Sequence, residues 1–192
     1  MTNYQLKAAA YHLQLKEIKK LILTNTSFRD RCIIKSLFWM GLRREEVTTL
    51  NVKDIDFDRK RIKIRGKGNK TRTVPIINDE LLDDLQHLVY GRTEGSVFTK
   101  SNGSPLTVRR INYITAKSGE QSGITNPNPR LKYINPHIFR HSIARYLKNK
   151  GFTAEWIQNF LGHASYKTTM DMYGTLSIDE MQQEAENRLQ EL

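Results

Sequence analysis

Four residues in the last third of the chain have side chains suited to chemistry at a phosphate: His137, Arg140, His163 and Tyr173. His137 and Arg140 are one helical turn apart, His163 follows a Leu-Gly pair, and Tyr173 comes directly before a glycine. Such groups fit together chemically, because cations stabilise a dianionic transition state while a phenolate attacks phosphorus. A site of this kind needs further cations, and we expect them upstream at Arg43 and Lys67.

The hydrophobic periodicity predicts a mostly α-helical domain that positions these residues. The predicted helices cover Leu13–Leu23, Phe28–Met40, Arg44–Leu50, Asn78–Leu88, Thr107–Lys117, a helix that Pro136 begins, a short one through Trp156 and Leu161, Thr168–Tyr173, and a last one after Ser177. The stretch from Ser118 to Pro136 is rich in Gly, Asn, Pro and Ser and is predicted to be the longest loop.

After the third predicted helix the pattern becomes alternating, as in a β-strand. Ile62 and Ile64 face one way, and the basic residues between and beside them face the other. Residues 66–69 predict a hairpin turn, and an earlier strand near residues 54–57 completes a small antiparallel sheet. The fold class is therefore α+β, mostly α with a small antiparallel sheet. The turn carries Lys67, which either reaches into a groove or belongs to a solvated loop.

The composition indicates a single domain with an excess of positive charge. The 192 residues are 38% hydrophobic and 27% charged, which is ordinary for a globular protein. Lys and Arg number 31 against 20 Asp and Glu, a formal net charge of +11 that favours a polyanionic partner. Eight of these cations, and no acid, lie between positions 59 and 72, so the positive field is local.

The sequence favours a cytoplasmic protein with no membrane association. No apolar run approaches the roughly 20 residues that span a bilayer, and the N-terminus lacks the apolar core of a secretory signal. Cys32 is the single cysteine, so no internal disulfide is possible. It lies in an apolar helical pattern and is predicted to pack as a small hydrophobic side chain.

Five motifs together resemble the catalytic domain of the tyrosine recombinases, the phage integrase family. They are GLRREEV at 41–47, RGKGNKTRTVPI at 65–76, PHIFRH at 136–141, LGH at 161–163 and TTMDMY at 168–173. One such motif is weak, but five in family order and at family-like separations form a strong signal. The resemblance spans roughly Leu13 to Leu189 and implies the tyrosine recombinase catalytic fold.

The resemblance implies that Arg43 and Arg140 clamp the non-bridging oxygens of a scissile DNA phosphate. A guanidinium suits this task because it stays charged and offers paired donors. His163 matches the residue that hydrogen-bonds the same phosphate. Glu46 stands where the family carries an acid that helps to hold the active-site framework, although a solvent-exposed helix carboxylate is a serious rival interpretation.

The remaining implied roles concern protons and the covalent bond. His137 matches the residue that accepts or manages the tyrosine proton, and Lys67 resembles the hairpin lysine that protonates the departing 5′ oxygen. Tyr173 would be the nucleophile, with Tyr166 as the nearby rival phenol, which is assigned a packing role. His141 is expected to be a second-shell or packing histidine, because the glutamate of a HExxH metal motif is absent.

The implied reaction is cleavage and rejoining of DNA through a 3′-phosphotyrosyl intermediate, as in site-specific recombination or integration. The tyrosine ester retains the bond energy, so no ATP, metal or other cofactor is expected. One alternative is type IB topoisomerase-like cleavage and resealing without strand exchange. Another is a DNA-binding protein that no longer cleaves.

Double-stranded DNA is the expected partner. Further DNA contacts are assigned to Arg65, Lys70, Arg72, Arg109 and Arg110. Residues 1–192 are expected to form one catalytic domain without the N-terminal core-binding domain common in the family. The resemblance implies an oligomer on DNA, a tetrameric synapse. The apolar stripe of the last helix, about residues 177–190, resembles a segment passed to a neighbouring protomer, and packing on its own domain fits equally well.

Overall fold

The computed structural model describes residues 11–66 and 71–162, and this part is mostly helical with one small antiparallel sheet, as the sequence predicts. Its helices are α1 (Leu15–Leu23), α2 (Phe28–Trp39), α3 (Arg44–Thr49), α4 (Asp79–Leu88), α5 (Val108–Ser122), α6 (Pro136–Asn149) and α7 (Ala154–Leu161). A short 3-10 helix covers Val52–Asp54, and the strands are β1 (Ile55–Asp56), β2 (Arg61–Arg65) and β3 (Thr71–Pro75). The helices predicted over 168–173 and after 177 lie outside the described residues.

Local capping explains where several helices begin. The Ser27 side chain accepts a hydrogen bond from the Asp30 N–H at the start of α2. Asn135 caps α6 by accepting from the N–H groups of His137 and Ile138, and Pro136 occupies the first turn, where its missing N–H costs nothing. These signals are local in sequence, which is why the starts of these helices are predictable.

The sheet has the order β1-β2-β3, with both pairs antiparallel. Ile62 pairs with Ile55 on one side and Val74 on the other, and all three are buried. The alternation predicted for β2 is confirmed, since Ile62 and Ile64 are buried while the basic residues of the strand are exposed.

The core surrounds α2, which packs against α1, α4 and α6. Its Phe38 is fully buried and meets Trp39 edge to face, with ring centroids 4.8 Å apart. Cys32 is fully buried in the same helix, and burial raises the pKa of its thiol to about 12. The prediction that it packs as a hydrophobic side chain is confirmed.

The prediction of a loop from Ser118 onward is wrong at its first residues, because α5 continues to Ser122. The Ser118 hydroxyl is buried, donates to the Ile114 carbonyl oxygen and accepts from the Asn25 side chain. A Cβ at Gly119 would lie 2.7 Å from Ile134, so glycine permits close packing here rather than marking a turn. Within the described ranges no helix is long and apolar enough to cross a membrane.

Candidate active site

The turn before α3 places Arg43 at the helix N-terminus. Gly41 has φ +57, and a Cβ there would collide with Leu161 of α7, so glycine is required for both conformation and contact. Glu46, three residues into the helix, accepts from the Arg43 backbone N–H at 2.8 Å and from its Nη1 at 2.9 Å. The local sequence thus folds the acid back onto the arginine in the manner of a capping box.

Glu46 is only 3% exposed and binds a second arginine, Arg72 of β3. The two guanidinium nitrogens of Arg72 donate to the two carboxylate oxygens at 2.6 and 3.0 Å, a bidentate pair. Burial acts to raise the pKa of Glu46, but the hydrogen bonds and charge of Arg72, with those of Arg43, outweigh burial and hold the pKa below its ordinary value. The interpretation of Glu46 as a solvent-exposed carboxylate is therefore wrong.

Arg140 of α6 is the most deeply placed cation of the site, at 4% exposed. It donates to the carbonyl oxygens of Gly41 and Leu161, both at 2.5 Å, and so ties α6 to the turn before α3 and to the end of α7. Burial, followed by the charge of Arg43, lowers its pKa to about 9. Two of its N–H groups are used in this way, and the guanidinium keeps donors for another partner.

The end of α7 brings these groups together. Gly162 ends the helix in the left-handed conformation with φ +65, and its carbonyl oxygen lies 3.5 Å from Nη2 of Arg43. The Cδ of Arg72 lies 2.5 Å from where a Cβ of Gly162 would stand. Arg43 and Arg72 therefore lie against Gly162, and Arg140 binds Leu161, the residue before it. We call these three side chains with Glu46 the arginine cluster.

His137 lies in the first turn of α6 and is exposed. Loss of solvent around the ring lowers its pKa, and the charges of Arg44, Arg140 and Arg43 act in the same direction against Glu45. The ring is thus in the field of both candidate phosphate-clamping arginines. A pKa below 6.5 leaves it neutral at neutral pH, the state in which an imidazole accepts a proton.

His141, one turn further along α6, is mostly buried. Burial, followed by the charges of His137 and Arg140, lowers its pKa to about 4. Its Nδ1 has no hydrogen-bond partner among the described residues. The geometry agrees with the packing role assigned from the sequence, and no three His, Cys, Asp or Glu side chains in the described part converge as metal ligands would.

The structure brings together three of the six predicted catalytic residues, Arg43, His137 and Arg140. Lys67, His163 and Tyr173, like Lys70, lie outside the described residues, so their roles remain predictions.

The DNA contacts assigned from the sequence fall into two groups. Arg109 and Arg110 are exposed on α5, where Arg110 lies 4.8 Å from the centroid of the Tyr113 ring. Arg65 is half exposed, 3.7 Å from Asp54. The Arg72 side chain, by contrast, is 15% exposed and turned inward. Sequence reasoning missed its pairing with Glu46, although strand alternation gave the signal, because Arg72 shares the inward face with Val74.

The arginine cluster beside His137 offers the kind of donors that bind a phosphate group, on a helical fold with a small sheet. The Phage integrase family profile matches residues 11–178. The chain belongs to the phage integrase family.

Its relatives include tyrosine recombinases of the Xer type. The chain is 35% identical over 165 residues to tyrosine recombinase XerA of Pyrococcus furiosus, covering 80% of this chain and 54% of that protein. It is 37% identical over 150 residues to tyrosine recombinase XerC of Chlamydia caviae, covering 75% of this chain and 46% of that protein. The chain thus spans about half the length of these curated relatives.

Solved structures share the fold. The crystal structure of XerA recombinase aligns with a TM-score of 0.76 at 26% identity, over 92% of this chain and 64% of that one. The XerH site-specific recombinase bound to its difH substrate, in a pre-cleavage complex, aligns with a TM-score of 0.70 at 25% identity, over 91% of this chain and 51% of that one. The predicted fold class and family are therefore confirmed.

Proposed function

We propose that this chain is the catalytic domain of a site-specific DNA recombinase or integrase, which cleaves and rejoins double-stranded DNA through a 3′-phosphotyrosyl intermediate. The observation that carries the proposal is the convergence of Arg43 and Arg140 on the end of α7, directly before His163. They come from motifs far apart in the sequence, and each donates to backbone there while retaining donors for a phosphate.

In the proposed reaction the scissile phosphate binds between Arg43 and Arg140, with His163 as a further donor. The two guanidinium groups neutralise the charge that develops on the non-bridging oxygens, an effect that is strong in a partly buried site. Because Arg140 is fixed by two backbone carbonyls, it needs little reorganisation when the transition state forms.

In this reaction one bond to phosphorus forms while another breaks, and two protons are transferred. The Tyr173 oxygen forms a bond to phosphorus while the bond to the 5′ oxygen breaks. The phenol proton passes to His137, whose lowered pKa keeps the ring neutral and ready to accept it. Lys67 gives a proton to the departing 5′ oxygen. The free 5′ hydroxyl of a second DNA end reverses these steps and completes strand exchange.

DNA contact outside the site is proposed for Arg65, Lys70, Arg109 and Arg110, and assembly as a tetramer on two DNA duplexes is proposed from the family. The exposure of Arg109 and Arg110 on α5 supports a role in phosphate contact. Relatives in the family include recombinases solved with DNA substrates, such as XerH with difH.

Capture of covalent complexes on genomic DNA fragments tests the proposal. Fragments are incubated with the protein, denatured in detergent, and protein-linked ends are sequenced. Wild type is expected to enrich a defined site through 3′-linked ends, Tyr173→Phe to enrich none, and the matched control Tyr166→Phe to behave as wild type. Recombinant DNA joints between two such sites are also expected for wild type.

Other outcomes identify the alternatives. Relaxation of supercoiled DNA with covalent ends but no recombinant joints would assign a type IB topoisomerase-like activity. Tight DNA binding with no covalent end would assign a binding protein that does not cleave. Either result contradicts the proposed recombinase.

A further inference from the structure

Arg72 is placed in the interior of the site, although its sequence context groups it with DNA-contacting cations. It pairs in register with Ile64 of β2, and its neighbours Thr71 and Thr73 are exposed on the opposite face of the strand. Its side chain is 15% exposed, against 50% for Arg65 on the same hairpin. Two of its five N–H donors are held by the Glu46 carboxylate, and its Nε is buried beside Gly162 with no hydrogen-bond partner among the described residues.

Both terminal nitrogens of Arg72 are used by Glu46. The paired contacts at 2.6 and 3.0 Å match the fork of a guanidinium to the two oxygens of a carboxylate. Through its other interactions Glu46 fixes both the backbone N–H and the Nη1 of Arg43. Glu46 thus links Arg72 to Arg43.

The aliphatic stem of Arg72 makes a second contact, with Gly162. The position of a Cβ on Gly162 would lie 2.5 Å from Cδ and 2.9 Å from Nε of Arg72, so the arginine packs directly on the glycine backbone. Gly162 is followed in the sequence by His163, and Lys67 stands in the sequence between β2 and β3, which pair. One side chain thus joins the three segments that carry Arg43, Lys67 and His163.

We propose that Arg72 is a positioning residue for the phosphate site: its pair with Glu46 and its packing on Gly162 hold the β2–β3 hairpin, the start of α3 and the end of α7 in one arrangement. This inference rests on the proposed function, because the segments it aligns carry the proposed catalytic groups. Misplacement of reacting groups by about 1 Å costs roughly a hundredfold in rate. Loss of Arg72 therefore slows chemistry while DNA binding is retained.

Single-turnover covalent complex formation on a nicked duplex of the mapped site measures this effect, together with the Kd for the same duplex. Arg72→Gln is expected to lower the rate at saturating DNA by about 10- to 100-fold. Arg61→Gln is the matched control, because it removes the same charge from an exposed position of β2. Its change in Kd gives the effect of one lost charge, and Arg72→Gln is expected to change Kd no more than this.

Arg72→Lys separates positioning from charge. Lysine keeps the positive charge but cannot form the bidentate pair, so the slow rate is expected to persist within a few-fold of Arg72→Gln. A direct phosphate contact made through charge predicts the opposite, a rate restored nearly to wild type.

A double-mutant cycle with Glu46→Gln completes the experiment. If Arg72 acts through Glu46, the rate of Glu46→Gln/Arg72→Gln equals that of the slower single variant, whereas independent effects multiply. The double variant removes both members of the buried Arg72–Glu46 pair and takes the carboxylate only from Arg43, whose side chain is 35% exposed, so it is expected to fold even where a single variant does not. Rates are expressed per folded molecule, determined by circular dichroism.

The outcomes distinguish this inference from the proposed function. A wild-type protein that forms no covalent complex overturns both. A wild type that forms the complex, with Arg72→Gln as fast as Arg61→Gln or with Arg72→Lys fully active, overturns the positioning role alone. A slow Arg72→Gln with a slow Arg72→Lys and a non-additive cycle supports it.

Discussion

This domain contains two clusters of charged side chains around buried groups, and the clusters differ in the sign of their excess charge. At the α2–α4 contact, Lys35 is 7% exposed and its ammonium lies 2.6 Å from Glu80 and 2.5 Å from Asp84. In the arginine cluster, Arg43 and Arg72 share the Glu46 carboxylate, and Arg140 donates to two backbone carbonyls. The first cluster holds more anion than cation, and the second holds an excess of cation.

This difference distinguishes a structural cluster from a binding site. A buried cation without a counterion destabilises the folded state. Burial acts to lower the pKa of Lys35, but its two carboxylate partners outweigh burial and raise the pKa. Among the described residues Arg140 has no carboxylate partner; it donates to two backbone carbonyls, and burial lowers its pKa to about 9. In the proposed function the DNA phosphate supplies the anion for this excess of cations.

The largest expected effect is on catalysis, from Arg140→Lys. A lysine cannot hold two carbonyls and a phosphate with the planar donors of a guanidinium, so single-turnover cleavage should fall by at least about a hundredfold. Arg92→Lys is the matched control, since Arg92 also donates to two backbone carbonyls, at 2.9 and 3.0 Å, outside the arginine cluster. Equal cleavage rates for Arg140→Lys and Arg92→Lys would contradict a role of Arg140 in binding the phosphate.

The Lys35 cluster is expected to affect stability and not cleavage. Lys35→Met leaves Asp84 partly buried without its cation, and we expect a loss of about 1–3 kcal/mol in the free energy of unfolding. Urea unfolding measures it, and the cleavage rate per folded molecule should match wild type. The control Lys60→Met removes an exposed ion pair of similar length, with Asp79, and should leave stability nearly unchanged. A slow Lys35→Met enzyme would contradict a purely structural role.

The pH dependence of stability tests Glu46 as the shared anion of the arginine cluster. Its folded-state pKa lies below its ordinary value of 4.5, so its contribution is present above that pH and is lost as pH falls through the folded-state pKa. The free energy of unfolding should therefore drop more steeply below pH 4.5 for wild type than for Glu46→Gln. Parallel curves in urea titrations would show that the ionised carboxylate contributes nothing there.

A smaller effect on stability is expected when either of two glycines at helix ends is replaced by alanine, which adds one methyl group. Gly162 and Gly151 both have positive φ, +65 and +84, but only a Cβ at Gly162 meets Arg72. Gly151→Ala should cost about 1 kcal/mol from backbone strain alone, and Gly162→Ala should cost more. Equal losses in the free energy of unfolding for the two variants, measured in urea, would show that the Arg72 side chain moves aside without destabilising the protein.

The smallest expected effect concerns DNA affinity outside the site. Arg110→Gln should weaken binding a few-fold and reduce the slope of log affinity against log salt by about 1, with cleavage at saturating DNA unchanged. Fluorescence anisotropy across a salt series measures both quantities. An unchanged slope would remove Arg110 from the proposed DNA contacts.

Much of the fold is predictable from the sequence because its signals are local. Ser27 and Asn135 cap their helices through side chains two or three residues from the groups they bind. The end of α5 is not predictable in this way. Gly119 is typical of a turn, and only its close contact with Ile134 shows why it is helical.

The site shows the same division between local and tertiary information. Motif spacing identifies Arg43, His137 and Arg140, and the structure brings them together. The burial of Glu46 and its pairing with Arg72 depend on strand register and on the approach of α7. A sequence motif reveals neither of these. A basic residue in a basic segment therefore looked like a DNA contact until its face of the strand was known.

The arginine cluster is proposed to hold a DNA phosphate for attack by Tyr173 without a metal ion. The sharpest test is mass spectrometry of the DNA-linked peptide, after reaction of wild type with a nicked duplex of the mapped site in EDTA. A single modified residue, Tyr173, joined to a 3′ phosphate is expected. An adduct on another residue, a 5′ linkage, or an adduct that forms only when a divalent ion is added would contradict it.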